Sequence, residues 1–111
     1  MPAHPAHPAH PAPPKHYTDF VERYPSLAEA WELIAQAGQA GPLDKKTQRV
    51  VKLAIAIGAM REGAVHAGVR KALAMGISRE TIDQVVALAA GTLGMPSTVA
   101  AYTWTRDESA K

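Results

Sequence analysis

DKKTQRVVKLAIAIG, residues 44–58, is the stretch on which the fold turns. In its first half Lys45, Arg49 and Lys52 recur at i, i+4 and i+7, so a helix gathers them into one basic stripe. The second half, Val50, Val51, Leu53, Ala54, Ile55, Ala56 and Ile57, is apolar nearly all round. A helix of that kind has to be covered on most sides. Asp44, after Pro42 and Leu43, is the expected N-cap, and Gly58 marks the expected end.

Downstream, a fourth helix is predicted over about residues 61–75, stopped by Gly76. Ser78 caps a fifth, with Ile82, Val85, Val86, Leu88 and Ala89 as its apolar positions, and Gly91 and Gly94 loosen its end. Pro96 suits the first turn of a sixth, which carries Val99, Ala100, Tyr102 and Trp104. Upstream, Ser26 and Glu29 have capping-box spacing and predict a second helix with Leu27, Ala30, Trp31, Ile34 and Ala37 on one face. Thr18 caps a short first helix that Pro25 ends. No segment alternates as a strand does, so the fold class is all-α, with about six helices. The third and fifth helices are too apolar for a monomer of about 95 ordered residues, because small domains bury only ~60–70% of their unfolded surface. An obligate homo-oligomer is expected.

The whole chain of 111 residues is one domain's worth. Residues 1–16, MPAHPAHPAHPAPPKH, hold most of the nine prolines and read as a low-complexity arm; residues 17–111 read as a single helical domain. There is no cysteine, which excludes disulfides, thiolate metal sites, iron–sulfur clusters and a thiol nucleophile. The longest apolar runs are interrupted by Lys52 or by Gly91 and Gly94, and fall short of the ~20 residues that span a bilayer. With no basic-plus-apolar leader at the N-terminus, a cytoplasmic location and no membrane partner are expected.

His4, His7 and His10 recur every three residues, the period of a polyproline II helix, and so share one side of the arm. They are candidate metal ligands. A straight arm nevertheless sets successive histidines ~9 Å apart at ~3.1 Å per residue, too far for one ion with ~2 Å bonds. A site would need a bend, or matching arms around an oligomer axis. The alternative is a solvated arm.

Charge is uneven beneath a net value of +2. Lys45, Lys46, Arg49, Lys52, Arg61, Arg70, Lys71 and Arg79 face only Asp44 and Glu62 in the same stretch. Such an excess favours a small anionic metabolite, and the plainer reading is a set of solvated helix faces. No aromatic residue interleaves with the Lys45, Arg49 and Lys52 stripe and no recognition motif is present, so a nucleic-acid partner is not expected.

His66 is the one histidine within the expected folded part. It follows Glu62 by four residues, so the two side chains share a helix face and can touch. A carboxylate that orients an imidazole, fixes its tautomer and favours its charged form is a minimal general acid–base unit. Arg70, one further turn along, could hold a substrate carboxylate through a bidentate contact. The same spacing also serves as an ordinary surface hydrogen bond.

Taken in order, Leu43, Thr47, Glu62, His66, Ala72, Leu73, Gly76, Ser78, Glu80, Ile82, Gly94 and Pro96 form a pattern that resembles the carboxymuconolactone decarboxylase and alkylhydroperoxidase D-like superfamily, over about residues 20–107. The resemblance implies a helical fold built around antiparallel helix pairs, assembled as trimers or hexamers with sites near subunit contacts. The peroxidase branch has a C-x-x-C-x-x-x-H motif whose cysteine positions correspond to Ala59 and Glu62 here, with the histidine at His66. Thiol peroxidase activity is therefore expected to be absent. Glu62 matches the decarboxylase branch, which implies a cofactor-free lyase with Glu62 and His66 as catalytic residues and Arg49 and Arg70 binding the substrate. Where many members read Lys-Thr-Arg-Glu, this chain reads Lys46, Thr47, Gln48, Arg49, which reverses the charge of a position the family often uses for proton relay. The alternative is a catalytically retired oligomer of the same fold with a histidine-rich metal- or partner-binding arm.

Overall fold

The computed structural model describes residues 15–108. Six helices follow one another, α1 (Lys15–Arg23), α2 (Pro25–Gln39), α3 (Lys45–Gly58), α4 (Glu62–Ala74), α5 (Arg79–Leu93) and α6 (Met95–Arg106). No strand occurs among the described residues. The all-α class with six helices is therefore as the periodicity indicates. Chain contacts divide the described residues into two units, 15–45 and 46–108. The candidate metal ligands His4, His7 and His10 lie outside the described residues.

In the first unit, α1 begins at Lys15, ahead of Thr18, so Lys15 and His16 are helical rather than part of an extended arm. Lys15 Nζ lies 3.1 Å from Asp19 Oδ2, one turn on. Pro25 ends α1 but also opens α2, where its missing N–H costs nothing because first-turn donors have no helical acceptor. Tyr24 is the N-cap and makes no side-chain cap bond. The expected capping box of Ser26 and Glu29 does not form, because Pro25 starts the helix one residue earlier and leaves Ser26 inside it. The Phe20 and Tyr24 rings pack 5.2 Å apart. No residue of α2 is buried, and Trp31, Leu33 and Ile34 are exposed.

In the second unit, α3 supplies Leu53, Ala56 and Ile57 to a core completed by Val65, Val69 and Ala72 of α4, Ile82, Val85 and Val86 of α5, and Ala101 of α6. Gly68 lets α3 approach α4 closely: a Cβ there would stand 3.3 Å from Leu53 Cδ1. α4 ends in a Schellman motif, in which Gly76 N–H donates to Leu73 O and Ile77 N–H to Ala72 O, both at 3.0 Å. Gly76 has φ +86°, a conformation that L side chains resist, and buried Ile77 seals the turn. Ser78 Oγ then accepts from Thr81 N–H at 3.0 Å as the N-cap of α5. Gly94, at φ +82°, is at once the C-cap of α5 and the N-cap of α6. Thr98, in the first turn of α6, bonds back to Gly94 O at 2.7 Å.

The core does not absorb every apolar residue of α3 and α5. Ile55 is 64% exposed and Leu88 72% exposed. Leu88 also lines an open trough of about 330 Å³ between α3 and α5, together with Val50, Val51, Ala54, Val85 and Ala89 among others. Among the described residues, no helix is long and apolar enough to cross a membrane.

Candidate functional site

Glu62, His66 and Arg70 stand one turn apart along α4. Glu62 lies in the first turn, where its charge meets the positive end of the helix dipole. His66 sits between the buried positions Val65 and Val69 and is 20% exposed. Its Nε2 is 3.3 Å from Glu62 Oε2. The face-sharing read from the spacing is present.

The other ring nitrogen meets a residue that helical spacing does not reveal. His66 Nδ1 is 2.6 Å from Glu108 Oε2, across 42 positions of sequence. Glu108 Oε1 accepts from the Arg70 guanidinium at 3.0 Å. One carboxylate thus bridges the imidazole and the guanidinium, and its side chain is 16% exposed. Arg79, the first residue of α5, holds the segment in place from below: one terminal nitrogen donates to Thr105 O and the other to Glu108 O, both at 2.6 Å. A second tie between α5 and α6 is the ion pair of Arg106 with Asp83 at 3.5 Å.

An ionised carboxylate only accepts hydrogen bonds, so both contacts of the His66 ring are satisfied together only when both nitrogens carry protons. Burial alone pushes the Glu108 carboxyl up, but the hydrogen bonds and charges of Arg70 and His66 outweigh it and hold the group below the usual carboxylate range. The two carboxylates bracket opposite nitrogens and do not converge on one point. Among the described residues, no three histidine, aspartate or glutamate side chains converge as a metal ion would require.

The two arginines expected to bind substrate are placed differently. Arg70 is already engaged by Glu108. Arg49 makes no ion pair among the described residues, and its Nε is buried without a hydrogen-bond partner. Burial lowers the pKa of Arg49, as it does that of Lys71, on which the like charges of Arg49, Lys52 and Arg70 also act. Arg49, Lys52, Arg70 and Lys71 thus form a positive cluster on α3 and α4, of which Arg70 also belongs to the His66 site. A shallow depression of about 550 Å³, lined by residues 60–64, adjoins Glu62.

Comparison with known proteins gives a consistent picture. The sequence model of the carboxymuconolactone decarboxylase family matches residues 25–107. A crystal structure of an apo carboxymuconolactone decarboxylase family protein from Legionella pneumophila is similar to this one with a TM-score of 0.76 at 24% identity, over 86% of this chain and 88% of that one. No curated protein matches.

Proposed function

We infer, from the premise that this chain belongs to the carboxymuconolactone decarboxylase family, that it is a cofactor-free acid–base lyase for a small carboxylated metabolite of lactone or β-keto type. The observation that carries this reading is a partly buried imidazole held between two carboxylates, with a guanidinium beside it. Loss of carbon dioxide leaves electrons that need a conjugated carbonyl as sink, and a carbon that must be reprotonated. His66, held between Glu62 and Glu108, is the proton donor. Glu62, open to solvent, returns the proton to the ring for the next cycle. Arg70 and Arg49 orient the substrate carboxylate or stabilise the developing enolate. Without cysteine, the chain has no thiolate with which to reduce a peroxide.

The open α3–α5 trough with exposed Leu88 in its lining, and exposed Ile55 on α3, favour a homo-oligomer, trimer or hexamer, in which a second copy covers apolar surface of these helices. Light scattering on the purified chain reads the assembly directly. One observation favours a second reading, a retired enzyme: Glu108 already fills the space between His66 and Arg70.

Turnover of a carboxymuconolactone-type substrate, followed by ultraviolet absorbance, tests the proposal. Wild type is expected to turn it over, and both Glu62→Gln and His66→Ala are expected to lose that activity. Retained turnover in His66→Ala removes the assignment.

A further inference from the structure

We propose that the gap between His66 and Arg70 is a binding site for a small organic carboxylate, and that Glu108 is its internal occupant, exchanged for the ligand on binding. The contact geometry points there first. One carboxylate places one oxygen 3.0 Å from Arg70 Nη1 and the other 2.6 Å from His66 Nδ1. This two-point arrangement uses nothing specific to glutamate beyond its carboxylate, so any small carboxylate fits the same donors.

The way Glu108 is held points in the same direction. Its donors belong to α4, in the core of the unit, whereas Glu108 lies beyond the end of α6 in irregular chain. Apart from the site itself, its described hydrogen bond is the one from Arg79 to its main-chain oxygen. A non-helical residue just past a helix end, held by so few bonds, opens locally far more cheaply than the helices it packs on. Charge adds a third reason. With Glu108 swung out, the Arg70 guanidinium loses the carboxylate it donates to, and His66 keeps only Glu62. The emptied gap therefore favours an anion.

Carboxylate exchange deepens the acid–base reading of His66 and rests on it only for the chemistry after binding. It makes the filled gap a resting state: an external carboxylate competes with a tethered one, so apparent affinity is reduced by the fraction of time the site stands open.

Acetate titrated into the isotope-labelled full chain, read by the side-chain NMR signals of Arg70 and His66, tests it. In Glu108→Ala, acetate is expected to bind saturably and roughly tenfold or more tighter than in wild type. Glu108→Gln, which keeps the size of the side chain, is expected to show the same gain if the alanine variant does not fold. Arg70→Gln added to either abolishes the response, and sodium chloride at matched ionic strength does not reproduce it. In wild type, high acetate moves the Glu108 carboxyl signal to that of a free glutamate. A folded Glu108 variant that binds acetate no better than wild type overturns the proposal, as does binding that survives Arg70→Gln. Tight acetate binding in a protein without turnover keeps this inference and removes the lyase reading. Turnover with no gain in acetate binding does the reverse.

Discussion

Replacing Arg79 with alanine is expected to loosen the segment after α6 while leaving the helical core folded. The guanidinium donates at 2.6 Å to both Thr105 O and Glu108 O. Hydrogen bonds to a charged donor contribute about 1.5–3 kcal/mol each when a partner is left buried and unpaired. Thr105 is fully buried, but loss of the Arg79 side chain opens space through which water can reach both carbonyls at this helix end, so the two together cost about 1–3 kcal/mol. For a folded part of this size, that corresponds to a fall in Tm of roughly 4–24 °C. Arg79→Lys keeps the charge but cannot reach two carbonyls with a planar fork, and is expected to fall between. Calorimetry at fixed protein concentration reads the stability, and amide hydrogen exchange locates it. Exchange should quicken at Thr105, Arg106, Asp107 and Glu108 while Val69 and Ile82 stay protected. An unchanged Tm with unchanged exchange after α6 would refute the view that this fork holds Glu108 in the site.

Other consequences can be checked with the same purified chain. Gly76→Ala forces a side chain into φ +86° and is expected to cost about 1–2 kcal/mol, read by urea unfolding. Gly68→Val drives a branched side chain towards Leu53, whose Cδ1 already stands 3.3 Å from a notional Cβ, and is expected to cost about 1–3 kcal/mol in the same assay. Arg49→Met removes a partly buried guanidinium with an unpartnered Nε that lies among like charges; it is expected to raise stability by about 1 kcal/mol. The Glu108 carboxyl is held below its ordinary range when folded, so its contribution is present above the unfolded value of about 4.3 and is lost as pH falls through the folded one. The stability gap between wild type and Glu108→Gln should therefore narrow on acidification below about pH 5, and a gap that does not vary with pH would contradict it.

The helices and their stops were legible because each depends on neighbours in sequence. Gly76, Ser78 and Pro96 act within one turn, and the structure shows all three acting as turn, cap and first-turn residue. Pro25 reads only as a stop in the sequence, yet a proline that ends one helix can also open the next, and here it does both. Within the candidate site, Glu62, His66 and Arg70 were visible because i, i+4 spacing places them on one face. Glu108 was not. It stands among the charged residues that close the sequence and carries no periodic signal, and its position depends on Arg79, which is 29 residues earlier. Nor does sequence show that Arg70 is already occupied, since that depends on where α6 ends in space.

The shared cap at Gly94 bears on the order in which the molecule assembles. With α5 and α6 joined through a single residue, pairing them closes almost no loop and loses little chain entropy. Joining His66 to Glu108 closes 42 residues, and it can be made only after that hairpin has docked on α4. The helical hairpin is thus an early event and the carboxylate bridge a late one. In reverse, the bridge is expected among the first contacts released when the native state fluctuates, while the core of the second unit stays closed.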